Sequence, residues 1–238
     1  MSMAHARHGR HAHIRAKHGV LTLPALMLIG GVALSVGYIA YTLWPRWPGE
    51  PVAIDAPSIP VTIGSVTFNF PPAAIRRPVQ RRPGTQERVD LAWLWPSLTP
   101  PDPAVTPEPV LSSASVDRVF VTVSAADGLP PAERIKTIYP RYLDTRIVDG
   151  PNGLASRPFR NGTPYEGEEL IYDPQNGERF MVRCSQNGKA ATLGICLYEK
   201  RIGDADVVVR FPRDWLDDWQ GVTEKLEKLV ASFRAVAR

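Results

Sequence analysis

Three glutamates, four arginines and two cysteines have types and spacings in this chain that invite chemistry. Glu166, Glu168 and Glu169 crowd into PYEGEEL. A pair of carboxylates is what glycoside hydrolysis runs on, one donating a proton while the other acts as base or nucleophile. Nothing in the spacing of this carboxylate site selects a pair, and Glu169 doubles as the expected first residue of a strand. The plainer expectation is a solvated junction between loop and strand, since exposure is the default for charge.

Arg76, Arg77, Arg81 and Arg82 fall within seven positions of PPAAIRRPVQRRPG. Interleaved with Pro78 and Pro83, they are expected to project from an extended strand or loop rather than from a helix. They form a candidate contact surface for anionic phospholipid, peptidoglycan carboxylates or an acidic protein; the bland reading is a charged loop. Trp93 and Trp95 share a strand face, and Trp215 and Trp219 lie one helical turn apart. Such rings can stack on sugars, but packing between helix and sheet explains the same spacing.

Cys184 and Cys196 sit in two runs with strand character, ERFMVRCS and TLGICLYEKRI, joined through QNGKAA with its Asn-Gly turn signal. Pairing Cys184 with Cys196 across this hairpin also sets Val182 opposite Tyr198 and Phe180 opposite Lys200. A bridge there contributes about 2–4 kcal/mol. Without C-x-x-C or a nearby histidine it is structural rather than redox-active, and it suits a non-cytoplasmic compartment.

Some chemistries lack their parts. All five histidines (His5, His8, His11, His13 and His18) lie in the first eighteen residues. With the cysteines paired, Ser-His-Asp, Cys-His and histidine-zinc sites have no members in the remainder. There is no Walker loop, GxGxxG or EF-hand spacing, so no cofactor or metal is expected. The histidine tail can bind metal, but a disordered basic tail facing anionic lipid fits better, because no folded scaffold sets ligand geometry. Asp204 and Asp206 are expected in a turn rather than as calcium ligands. Asn161-Gly-Thr163 matches a glycosylation sequon, relevant only in a eukaryotic secretory compartment.

The elements that position these residues begin with Val20 to Trp44, twenty-five residues without a charge. A helix of that length reaches about 37 Å, enough to cross a ~30 Å hydrocarbon core with tilt. Arg7, Arg10, Arg15 and Lys17 precede it with no acidic residue, while Glu50 follows Arg46 closely on the far side. This bias places the N-terminus in the cytoplasm and the larger part outside. Tyr38, Tyr41, Trp44 and Trp47 suit the outer headgroup layer, and Pro24 is expected in or near the first turn. A cleaved signal peptide is the rival reading, with weak cleavage sites at Ala33-Leu34-Ser35 and Ser35-Val36-Gly37, but the run is long for its apolar core and an uncleaved anchor is favoured. Gly30, Ala33 and Gly37 offer a small-residue seam for a homodimer.

The formal charge of +4 is misleading. Of 28 Lys+Arg, four lie in residues 1–18, which leaves 24 against 24 Asp+Glu. The excess is the tail, and it argues against a nucleic-acid partner. The division expected is a basic tail over 1–19, a transmembrane helix over 20–44, a proline-rich linker over 45–60 and one α+β domain over 61–238.

Within that domain VTIGSVTFNF has a hairpin signature about Gly64-Ser65. RVDLAWLW, DRVFVTVSA, ELIYD, RFMVRCS, LGICLYEKR and DADVVVRF follow as strands of a mainly antiparallel sheet, with PSLTPPDPAVTPEPVLSS a long loop. A short helix is expected near 131–142, started at Pro131 and ended by Pro140. A C-terminal amphipathic helix near 214–236 carries Trp215, Trp219, Val222, Leu226, Leu229, Val230 and Phe233 on one side, with Asp214 and Asp217 together in a capping arrangement. Both helices are expected on one face of the sheet.

The run VTIGSVTFNFPPAAIRRPVQRRPGTQERVDLAWLWPSL, with GEELIYDP, FMVRC and VVVRFPRDWLDDW, resembles an uncharacterised family of single-pass inner-membrane proteins from alphaproteobacteria. It spans most of residues 61–233, and its signatures are hydrophobic and arginine-rich rather than catalytic. The resemblance implies a bacterial inner membrane and a periplasmic domain, with no activity or site residue to carry over. The expectation is therefore a bitopic envelope scaffold or accessory binding subunit, contacting the lipid bilayer and an envelope protein, with a non-enzymatic role favoured. The alternative is a membrane-tethered carbohydrate-active or glycan-binding protein built on Glu166, Glu168 and Glu169.

Overall fold

The computed structural model describes residues 19–43, 52–102, 117–177, 179–186 and 194–234. The histidine tail, Trp44, Trp47, the first part of the linker, the stretch 103–116 and the cysteine hairpin's turn lie outside the described residues. The chain divides into two units, Met1–Trp47 and Pro48–Arg238. In the first, α1 (Gly19–Leu43) has no charged residue, and Pro24–Thr42 has a mean hydropathy of 1.7. By length and composition this helix can cross a membrane; a signal sequence near an N-terminus passes the same test. Because α1 starts at Gly19, Pro24 stands at its sixth position rather than in its first turn. Its missing N–H leaves the Val20 carbonyl without the usual partner four residues on.

The second unit opens with β1 (Ile59–Ile63) and β2 (Val66–Phe70), an antiparallel hairpin whose Ile63 pairs with Val66 around Gly64-Ser65. Ile59 and Pro60, assigned to the linker by sequence, are strand residues. β3 (Gly84–Thr85) adds to β1 in parallel and completes a three-stranded sheet. The larger sheet contains β4 (Arg88–Leu94), β5 (Arg118–Ala125), β6 (Val148–Asp149), β7 (Ala155–Pro158), β8 (Glu168–Tyr172), β9 (Met181–Ser185), β10 (Ile195–Ile202) and β11 (Ala205–Pro212). Their order is β4-β5-β11-β10-β9-β8-β7-β6, with every neighbouring pair antiparallel. The fold is α+β on a mainly antiparallel sheet.

α2 (Pro131–Thr137) begins at a proline, and a 3-10 turn over Tyr139–Arg141 follows it. α3 (Trp219–Ser232) is preceded by a 3-10 segment over Arg213–Asp218. The cap is Asp218, whose side chain accepts from the Gly221 N–H at 3.2 Å, not Asp214 or Asp217. The 3-10 segment takes up the first turn expected of the helix. Trp219, Val222, Leu226, Leu229, Val230 and Phe233 are buried. Burying each of the larger aliphatic or aromatic side chains among them contributes about 1.5–3 kcal/mol.

The two helices lie on opposite faces of the sheet, contrary to expectation. Successive strand residues alternate between faces. Leu170 packs with Tyr139, Leu143 and Phe159, joined by Ile135 of α2. Its neighbour Ile171 belongs to the main core with Val222, Leu226 and Phe233. Met181 and Val182 split in the same way between the two clusters. Both faces of β8 and β9 are apolar, so alternation alone could not assign a helix to either. Phe68 and Phe70 of the small sheet join the α3 side, where Phe233 lies 5.5 Å from Phe70 and 5.0 Å from Trp93. The hairpin turn of the small sheet is tied to the large one: the Ser65 N–H and hydroxyl donate to the Asp204 carboxylate at 2.8 and 2.7 Å. Gly64 adopts φ +60, and a Cβ there would stand 2.7 Å from that carboxylate.

Candidate functional site

β4 is an edge strand, and such an edge offers unpaired N–H and C=O groups unless something covers it. The arginine-rich segment is the cover. Instead of one extended run, it makes two single-turn 3-10 segments, Pro72–Ala74 and Pro78–Gln80, each opened by its proline. Between them Ile75 bridges to Leu91, and the Arg76 N–H donates to the Asp90 carbonyl at 2.9 Å. Gln80 then works like a short stretch of strand. Its Oε1 accepts from the Asp90 N–H at 3.0 Å, and its Nε2 donates to the Arg88 carbonyl at 3.1 Å. Gln86, only 8% exposed, donates to the carbonyls of Gln80 and Arg82 at 3.0 and 2.7 Å. Its own N–H donates to Thr62 of β1. The loop is thereby fastened to both sheets.

The arginines on this support meet different fates. The Arg76 guanidinium lies 4.6 Å above the Phe120 ring, a cation–π contact, while the residue stays exposed. Arg77 Nε stands 3.2 Å from Asp90 Oδ2, with 66% of the side chain exposed. Arg81 turns back to donate from Nε to the Ile75 carbonyl at 3.0 Å, so it serves the loop itself. Arg82 is exposed. Between the loops and the sheet, Asp90 is buried; its Oδ1 accepts from Arg88 Nη2 at 2.7 Å and from the Thr122 hydroxyl at 3.1 Å. Burial alone would raise the Asp90 pKa. The hydrogen bonds from Arg88 and Thr122 and the charges of Arg88 and Arg77 outweigh it and hold the carboxyl below its ordinary range. Val79, at the tip between Arg77 and Arg81, is 74% exposed.

The glutamates do not converge. Glu168 and Glu169 are successive strand residues and face opposite sides of the sheet. Glu169 is buried, contrary to the solvated junction expected. Its Oε1 accepts from Arg213 Nε at 2.8 Å and its Oε2 from the Ser156 hydroxyl at 2.5 Å. Glu168 pairs with Arg183, whose guanidinium also lies 5.4 Å from the Tyr165 ring. Glu166 accepts from the Gly162 N–H at 2.9 Å. Asp204 holds Ser65, and Asp206 pairs with Arg201 at 2.8 Å.

The tryptophan rings are engaged by the chain itself. Trp93 and Trp219 are buried. Trp95 stacks on Trp215 at 4.4 Å with Lys225 Nζ 4.9 Å from its centroid, and Trp215 is near-parallel to Phe211. Cys184 and Cys196 form the expected disulfide between paired strand residues, with Cα atoms 4.0 Å apart. Leu197 pairs with Arg183 in the same register, while Phe180 precedes β9 and gives its carbonyl to the Asp173 N–H.

Sequence reasoning missed Gln80, Gln86, Asp90 and Phe120. The only signal was an Arg-x-Asp pair at Arg88 and Asp90 two residues apart on one strand face, beside an arginine-rich segment.

No family model matches the sequence, and no curated protein matches it. Among solved structures, the fold is similar to that of Smlt3025, an immunity protein of the Stenotrophomonas maltophilia type IV secretion system. The TM-score is 0.50 at 14% identity, over 79% of this chain and 99% of that one. A looser likeness joins it to FrpD, an iron-regulated outer membrane lipoprotein of Neisseria meningitidis, with a TM-score of 0.37 at 13% identity over 77% of this chain and 95% of that one.

Proposed function

We propose that the chain is a single-pass protein of a bacterial inner membrane, with its N-terminus cytoplasmic and its α+β domain periplasmic. There it acts as an envelope scaffold or accessory binding subunit by contacting another protein through the arginine loop. One observation carries this reading: the loop is fastened to the β4 edge by Gln80 and the Arg76 N–H and to β1 through Gln86, while Arg76, Arg77, Val79 and Arg82 remain exposed. Groups held in place before a partner arrives lose less entropy on binding. The apolar α1, the Lys/Arg bias of the tail, the disulfide and the resemblance to alphaproteobacterial inner-membrane proteins support the location. The fold's likeness to an immunity protein accords with a protein-binding role. The carbohydrate reading is less well supported, because Glu168 and Glu169 point to opposite faces and the Trp95 and Trp215 rings are stacked on each other.

The test places a photoreactive phenylalanine analogue at Val79 of the full chain in cells, with the exposed Lys228 of α3 as control. A discrete envelope-protein adduct from Val79 alone, lost when Arg76, Arg77, Arg81 and Arg82 are all changed to Ser, is the expected result. Equal adducts from both sites, or indifference to the four substitutions, would sink the reading. Self-association through Gly30, Ala33 and Gly37 is tested separately, since Gly37→Leu should lower the crosslinked dimer fraction.

A further inference from the structure

On the sheet face opposite α3, one register row runs Arg183, Leu197, Arg210, Phe120 and Ala92 from β9 to β4. Directly paired residues of antiparallel strands share a face. The two ends of the row are covered. Arg183 is held by Glu168 beside Tyr165, and at the other end Arg76 lies over Phe120 while Ala92 is buried. Between them Leu197 is half-buried, as is Val208 in the adjoining row, and Arg210 is exposed. Among the described residues no hydrogen bond or ion pair engages the Arg210 side chain.

The neighbouring acids on this face are already taken. Asp90 is bonded to Arg88 and faces Arg77, Asp206 is paired with Arg201, and Glu199 with Arg134. What is left open is therefore an apolar strip, Leu197 and Val208, beside Arg210, with Arg76 over Phe120 on the next strand; among the described residues neither guanidinium group has a counter-charge. It continues directly into the arginine loop.

We propose that this strip is the docking surface for an acidic segment of a partner protein. Carboxylates of that segment pair with Arg76 and Arg210, and an apolar side chain beside them rests on Leu197 and Val208. The inference rests on the protein-binding reading above and extends it from the loop onto the sheet. Headgroup phosphates would satisfy the guanidinium groups but leave Leu197 and Val208 wet, so a peptide meets both demands of the strip where a lipid meets one.

The experiment puts the photoreactive analogue at Val208 of the full chain in cells and sequences the peptide it captures. The expected peptide carries more Asp and Glu than Lys and Arg. Its yield should fall about tenfold in the Arg76→Glu, Arg210→Glu double variant, as for loss of central arginine anchors. The Arg76→Lys, Arg210→Lys variant, which keeps the charge, should retain most of it, and the single Arg210→Gln change at an exposed position should lower it. A lipid adduct, a captured peptide that is not acidic, no protein adduct, or a yield indifferent to the Glu and Gln variants would overturn the proposal. Adducts from Val79 in parallel cultures separate the two readings. If Val79 still captures a partner while Val208 fails, the strip is wrong and the loop stands; if both fail, both readings fall.

Discussion

The side chain of Gln80 bonds Asp90 and its strand neighbour as a paired strand would, accepting the Asp90 N–H at 3.0 Å and donating to the Arg88 carbonyl at 3.1 Å. A single amide thus replaces two ladder bonds at the edge of the sheet. Gln80→Ala should expose the Asp90 amide, raising its hydrogen-exchange rate by about tenfold for a lost bond of roughly 1–1.5 kcal/mol. Amide exchange at Val123 on the adjacent strand serves as the reference; equal change at both positions would mean global destabilisation instead.

Glu169 and Arg213 form a largely buried pair at 2.8 Å, their side chains 9% and 21% exposed. Removing one partner leaves the other charge uncompensated, so Glu169→Ala should cost about 3 kcal/mol. Glu169→Met combined with Arg213→Met should cost distinctly less. Urea unfolding midpoints of the two variants decide it, and equal losses would show that the pair matters for packing alone.

The disulfide closes a short loop, Cys184 and Cys196 being 12 apart in sequence. Replacing both by Ala should lower stability by about 2–3 kcal/mol. Because both residues are buried, dithiothreitol should reduce the native protein slowly and the urea-unfolded protein fast, as followed by thiol alkylation.

Asp90 gives an acid limb to stability. Its folded pKa is depressed, so the stabilisation is fully present above the unfolded value of about 3.9 and is lost as pH falls through the folded one. Asp90→Asn should be less stable at pH 7 yet lose less than wild type between pH 5 and pH 2. Parallel denaturation curves with the same acid slope would assign that limb elsewhere.

Tyr198 acts at the other extreme. Burial, helped by the charge of Glu227, pushes its phenol up to about 12. A raised folded pKa means the stabilisation is present below the unfolded value near 10 and is lost as pH climbs through the folded one. Tyr198→Phe should therefore flatten the alkaline loss of stability above pH 10, measured by unfolding midpoints.

Sequence served best where partners are near. The hairpin register of Cys184 and Cys196 follows from the Asn-Gly turn signal in the sequence between two strand-like runs, and α3 from apolar residues three and four apart. It served poorly where the partner is remote. Glu169 looked solvated because Arg213, which accompanies it into the interior, is 44 positions away. Arg81 looked like a projecting charge because the carbonyl it bonds belongs to Ile75 within the same loop. Gln80 carried no signal, since its role exists only once β4 lies beside it.

The place of β11 between β5 and β10 has a consequence for the order in which the chain can assemble. β4 with β5, and the run from β6 to β10, can each pair as soon as they are made, because their neighbours are close in sequence. They stay separate patches until residues 205–212, near the C-terminal end of the sequence, slot between them. Until then β5 and β10 each present a bare edge, so a chain interrupted before Ala205 would leave two half-sheets with sticky flanks, and it is β11 that joins them.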